Sequence, residues 1–188
     1  IEAACNAVIT TIQYGIPVAR MELLDAVQVQ ACNQYSGLDL PEETLLLVEF
    51  HGTESSVREQ SEMFGEISSE YTPHSFQWTT DPEERAKLWK ARHDAFWAAM
   101  ALLPGGQGIS TDVCVPISRL AECVEEPRRD IEATGIIATI VGHVGDGNFH
   151  TLPMAFPDAA ETCAKITGFS EKLSEREITI GGTFKGEH

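Results

Sequence analysis

The sequence predicts an α+β fold, a mostly antiparallel sheet with helices packed on one face. Two observations lead there. Segments of helical and strand periodicity alternate along the chain. One connection, at Asp146-Gly147, carries the strongest short signal for a hairpin, and a hairpin joins antiparallel strands.

The elements follow in order. Residues 2–14 predict a helix with Cys5, Val8, Ile9 and Ile12 on one stripe. "PVARMELLD" reads as a strand, or a strand leading into the helix "DAVQVQACNQY". "GLDLPEET" is a loop, and "LLLVEFHG" is a strong strand ended by Gly52. "TESSVREQSEMFGEISSEY" is an amphipathic helix with Val57, Phe64 and Ile67 near one face. "HSFQWTT" alternates like a strand. Asp81 then caps a helix that has Pro82 at its first position and Glu84 at its third; the pattern runs on to Pro104. "GGQGISTDVCVP" is a glycine-rich turn feeding a strand. Pro116 opens the helix "ISRLAECVEE", which Pro127 is expected to break or kink. The hairpin comes next, then the helix "PDAAETCAKITGFSEKLSERE" and a last strand and loop, "ITIGGTFKGEH".

Composition bounds the function. With 188 residues, 43% of them hydrophobic, the chain can bury a core as one domain or two small ones. Thirteen basic residues stand against 29 acidic ones, a formal net charge of −16. That balance argues against nucleic acid and against anionic membrane surfaces. An anionic substrate would need its own local positive charge. No apolar run is long enough to span a bilayer. Cys5, Cys32, Cys114, Cys123 and Cys163 are odd in number, scattered and free of any CxxC pair, as reduced thiols are. The sequence carries neither a G-x-G-x-x-G fingerprint nor a P-loop, and so no nucleotide site of its own that can be recognised. Both ends read as the interior of a longer chain, so the missing targeting signal carries no information on location.

The chemistry concentrates in "VGHVGDGNFH", residues 141–150. If Asp146 and Gly147 are a two-residue type I′ loop, His143 faces His150 across the hairpin, and two imidazoles so placed can reach one metal ion. A cation usually takes a carboxylate as well. Glu187 in "KGEH" is the candidate, with a solvated surface acid as its other reading, and His188 beside it is a potential base. Asp146 competes as a ligand, but its turn role accounts for it. Asn148 could donate to a bound oxygen or simply favour the turn. Trp89 and Phe96, seven apart in "LWKARHDAFW", read as core. Arg92 falls on the same semi-buried face, with His93 at its edge. Arg92 has two readings, bidentate capture of a substrate carboxylate and an internal salt bridge.

These stretches, with "STDVCVPISRL" and "GGTFKGEH", resemble the C-terminal region of FAD-linked D-2-hydroxy-acid dehydrogenases of the vanillyl-alcohol-oxidase type, and most closely its mitochondrial, D-lactate-oxidising members. The likeness covers essentially the whole chain. It implies that residues 1–188 are the substrate-binding cap, ferredoxin-like, of a two-part flavoenzyme whose FAD is held mainly by an N-terminal domain outside this sequence. The isolated chain is then expected to be inactive. The resemblance places divalent metal (Zn or Mn) ligands on His143, His150 and Glu187, the catalytic base on His188 and substrate-carboxylate binding on Arg92, with Asn148 lining the pocket. It implies D-lactate as substrate, an electron acceptor such as cytochrome c or quinone, and a mitochondrial location. Members acting on D-2-hydroxyglutarate carry a lysine before the "DV" segment; here Ser110 or a neighbour stands there, which favours a monocarboxylate. Two further readings remain open, a two-His-one-carboxylate non-haem iron oxygenase on a double-stranded barrel, and a non-catalytic metal-binding module.

Overall fold

Every strand pairing is antiparallel, and the strands lie in the order β2-β1-β5-β6-β4-β7, with the two-residue β3 added on β6. The strands are β1 (Arg20–Leu24), β2 (Leu45–Glu49), β3 (Gln107–Gly108), β4 (Ser110–Cys114), β5 (Ile137–Gly142), β6 (Asn148–Ala155) and β7 (Thr183–Glu187). The helices are α1 (Glu2–Gln13), α2 (Ala26–Ser36), α3 (Glu54–Tyr71), α4 (Pro82–His93), α5 (Ala95–Met100), α6 (Leu120–Thr134) and α7 (Ala160–Thr179). The computed structural model describes residues 1–73 and 76–187, residues 185–187 by backbone alone.

The α+β class is the one the sequence predicts, with a second helical layer beyond the single face expected. The period-two geometry of a strand explains how both layers attach. On β1, Met21 and Leu23 join a core shared with α1, α6 and α7, while Leu24 joins another shared with α2, α4 and α5. Leu23 and Leu24 are both fully buried, and each such leucine contributes ~1.5–3 kcal/mol. The second face is where the polar residues of the hairpin lie.

Local signals set most boundaries. Asp25 accepts from the Gln28 N–H at 2.8 Å and starts α2; Gly37, left-handed at φ 63°, ends it. Asp81 accepts from the N–H groups of Glu83 and Glu84 ahead of α4, as expected. Three expectations are corrected. The helix from Pro82 does not run to Pro104: it is interrupted at Asp94, whose side chain is taken by Lys90 and Ser36, and α5 restarts on a shifted phase. Phe96 is therefore 47% exposed, off the Trp89 face. Pro127 does not break α6. It is buried within the helix, and packing of Leu120, Cys123 and Val124 into the core offsets the ~3 kcal/mol that an internal proline costs. No strand forms over residues 76–80; Phe76 instead anchors that segment on Phe64, ring centroids 4.9 Å apart. His74 and Ser75, the start of that expected strand, lie outside the described residues.

Candidate active site

The hairpin forms, but with a longer turn than two residues. Val144–Asp146 make one turn of 3-10 helix, and Gly147 takes φ 73°. A Cβ on Gly147 would lie 2.3 Å from the Val115 carbonyl oxygen, so only glycine fits. The extra residues shift the pairing by two, and His150 faces Val141 rather than His143. His143 instead sits just past the end of β5. The β1–β5 register, with Leu23 opposite Gly142, brings it level with Glu22.

The two histidines still meet. Their ring centroids are 6.0 Å apart with the planes at 88°. His143 Nδ1 lies 2.6 Å from Glu22 Oε1. His150 Nδ1 lies 3.0 Å from the Thr111 carbonyl oxygen. A carbonyl can only accept, and so can a carboxylate already serving an arginine, so each Nδ1 carries the proton. In the neutral form each Nε2 then has the lone pair with which imidazole ligates a metal, that of His143 facing Arg92 and so shared with it until an ion displaces the contact, and oxygen acceptors behind the ring are the usual support of such ligands.

Glu22 is the residue that sequence reasoning missed. It is 4% exposed and serves two donors, because Arg92 Nε donates to its other oxygen at 2.8 Å. Arg92 Nη2 also lies 3.3 Å from His143 Nε2. Arg92 thus has the internal anionic partner that was one of its two readings. The other survives, since among the described residues its Nη1 hydrogens and one on Nη2 have no acceptor, and they can take a carboxylate. The signal for Glu22 was present: an acid inside the apolar run "RMELL" is hard to bury without partners.

Asn148 is brought to the same place. Its amide nitrogen donates to Asp112 Oδ1 at 2.6 Å, and its buried Oδ1 has no partner among the described residues. The amide nitrogen still carries a second hydrogen, so the donor role expected of Asn148 stays open beside the free acceptor. Asp112 Oδ1 is also 3.7 Å from His150 Nδ1. Helix α4, which carries Arg92, is held to the sheet a second time by Arg85, seven residues earlier, on Glu49 at 2.6 Å. Burial acts to raise the Glu49 carboxyl, but hydrogen bonds from Arg85, His51 and Arg20 outweigh it and hold it below the usual range.

The structure therefore brings together His143, His150, Arg92 and Asn148. The backbone of Glu187 pairs with Ser110 on β4, next to Thr111; its side chain lies outside the described residues, as does all of His188. Among the described residues no third histidine, cysteine or acid completes a metal cluster with the two imidazoles. Two imidazole nitrogens fit a borderline ion such as Zn, and Mn, a harder ion, would need oxygen donors beside them. The sheet path ends at β2 and β7 without closing, so the double-stranded barrel of the oxygenase reading is not formed among the described residues.

An antiparallel sheet between two helical layers has counterparts of known structure. A 4-ethylphenol oxidase from Gulosibacter chungangensis superposes with a TM-score of 0.67 at 14% identity, over 97% of this chain and 43% of that one. An alkyldihydroxyacetonephosphate synthase gives 0.59 at 11% identity, over 96% of this chain and 38% of its own. At such identities the likeness is one of fold. The family model "FAD linked oxidases, C-terminal domain" matches residues 1–188, and the chain belongs to that family. Among curated relatives, "Probable D-lactate dehydrogenase, mitochondrial" of Danio rerio is 42% identical over the whole chain, and a mitochondrial D-lactate dehydrogenase (cytochrome) of Arabidopsis thaliana is 37% identical. The chain spans 38% and 33% of the length of these two proteins.

Proposed function

We propose that this chain is the substrate-binding cap, residues 1–188, of a mitochondrial FAD-dependent dehydrogenase that oxidises D-lactate and related D-2-hydroxy monocarboxylates to 2-keto acids. The observation that carries the proposal is the convergence of Arg92, His143 and His150 on one face, in a chain whose whole length resembles D-lactate dehydrogenases. In this reading His143, His150 and Glu187 hold a divalent ion, Zn or Mn. When bound, the ion would supply Lewis acidity toward the substrate hydroxyl, and FAD, held mainly by a domain outside these residues, the hydride acceptor.

The chain's own residues do the rest. The free Nη edge of Arg92 binds the substrate carboxylate and fixes which face of Cα is presented. His188 takes the hydroxyl proton as general base. Asn148 lines the same pocket in this reading, its buried Oδ1 without a partner among the described residues. Electrons leave to cytochrome c or a quinone. The test is D-lactate added anaerobically to the full-length protein, with metal analysis of the same sample. Bleaching of bound flavin with about one divalent ion per chain is expected. A protein that binds flavin but is not reduced by D-lactate overturns the substrate; iron-dependent oxygen consumption without flavin overturns the class.

A further inference from the structure

We propose that Glu22 is the positioning residue of this site: its one buried carboxylate fixes both the tautomer of His143 and the aim of Arg92. The inference rests on the metal reading above. Glu22 lies on β1 between Met21 and Leu23, whose side chains enter the opposite core. At 4% exposure it is out of reach of water, and a buried carboxylate requires partners. It has two, and each takes a separate oxygen: His143 on Oε1 and Arg92 on Oε2.

The division of oxygens matters chemically. A neutral imidazole can place its proton on either nitrogen. The acceptor behind Nδ1 holds the proton there and keeps Nε2 as a donor to a cation. Remove that acceptor, and only the Arg92 Nη2 contact, itself aimed by Glu22, still opposes a proton on Nε2, where it would block ligation. The same carboxylate holds Arg92 by its single Nε hydrogen and leaves the two Nη1 hydrogens and one on Nη2 for a substrate. Arg92 Nη2 in turn reaches His143 Nε2, so the three side chains close a triangle. Glu22 therefore links the binding of metal to the binding of the substrate carboxylate.

A plain structural role is the competing account. Arg92–Glu22 could simply fasten α4 to the sheet, as Arg85–Glu49 does two helical turns away. That role would move stability and leave the metal untouched. The experiment uses the full-length protein with Glu22→Gln, which keeps the size and loses the obligate acceptor. Zn²⁺ affinity is read by competition with a chromogenic chelator, and the His143 tautomer in metal-free protein by imidazole ¹⁵N shifts. We expect a 10–100-fold weaker Zn²⁺ Kd and a His143 signal moved from the Nδ1–H form toward a mixture. A folded variant with wild-type Kd and an unmoved tautomer overturns the proposal. If the wild-type protein takes up no zinc, the metal reading has failed, and the ¹⁵N shifts alone decide the role of Glu22. Should Glu22→Gln not fold, Glu22→Asp withdraws the carboxylate by one methylene, and the same two measurements support or overturn the proposal in the same way.

Discussion

Arg92 on α4 and Glu22 on β1, seventy residues apart in sequence, meet through Nε and Oε2 with side chains only 19% and 5% exposed. The contact turns an arginine, a long and adaptable side chain, into a fixed one. Its guanidinium is oriented by one edge while the other edge still has hydrogens to give. A salt bridge and a substrate anchor are usually alternatives; this geometry allows both on one residue.

Arg92→Lys separates the two roles. A lysine can keep a charge near Glu22, but it has no second edge to offer a carboxylate. The KM for D-lactate should rise by about 10–100-fold, the loss of a bidentate charged contact, while the unfolding midpoint moves by less than the equivalent of ~1–2 kcal/mol. Steady-state kinetics and a denaturant curve on the same preparation check it. A large fall in midpoint with unchanged KM would make Arg92 structural only.

His143→Ala and His150→Ala should each lose the metal at little cost to folding. The His143 side chain is half exposed and that of His150 is 27% exposed, so neither supports the core. Removing either leaves one imidazole where a chelate of at least two is needed. Elemental analysis of the purified full-length variants is the measurement, with thermal unfolding alongside. Stoichiometric metal in either variant contradicts the paired-ligand arrangement.

How far this site could be read in advance depends on which interactions are local. Asp25, Asp81 and Gly37 act within one helical turn, so sequence places those boundaries well. Antiparallel pairing was readable from one hairpin. The register was not, because the preference of Asp-Gly for a two-residue loop was overridden by Gly147 docking on Val115, a contact across the sheet. The histidines came together all the same, through β1 and not through the hairpin ladder. Glu22 escaped notice for a related reason. Its two partners lie 70 and 121 residues away, and no spacing rule reaches that far. The second helical layer was signalled by consecutive apolar residues, "LL" in β1 and "LLLV" in β2, which supply both faces of a strand.

A different buried acid sets a pH dependence that has nothing to do with the site. Glu177 on α7 is 1% exposed, and its Oε2 has no partner among the described residues. Burial pushes its carboxyl from 4.5 up to about 7; the Cys123 thiol acts the other way, and Glu126 adds to the rise. For an acid raised on folding, the native state binds the extra proton between those two values, so stability falls as pH rises from about 4.5 to about 7 and is flat above. Glu177→Gln cannot ionise and should remove that slope. Relative to wild type, it should be close to neutral at pH 4.5 and stabilising at pH 8, by up to about 3 kcal/mol. Unfolding midpoints at the two pH values give the answer. Destabilisation by the same amount at both would show that Glu177 is ionised and partnered in the folded chain.

Substrate choice follows from the charge on the face that carries the histidines. A dicarboxylate needs a second positive anchor, since a charge taken from water without one is costly. Arg92 and the metal would serve the reacting end. At the other side of His150 stands Asp112, 38% exposed, with one oxygen accepting from Asn148. Two residues earlier on β4, and so on the same face, is Ser110, which, or a neighbour of which, the resemblance sets in place of the lysine of dicarboxylate users. A carboxylate approaching β4 therefore meets a hydroxyl and a negative charge. An added methylene meets neither obstacle and changes binding by only ~1–3 kcal/mol. D-lactate and D-2-hydroxybutyrate should be turned over by the full-length enzyme with kcat/KM within about a factor of ten of each other, and D-2-hydroxyglutarate far more slowly. Ser110→Lys should narrow that gap, and Asp112→Asn should narrow it too, by removing repulsion without adding an anchor. A wild-type preference for D-2-hydroxyglutarate over D-lactate would overturn the monocarboxylate assignment, while the roles argued for Glu22 and the two histidines would stand.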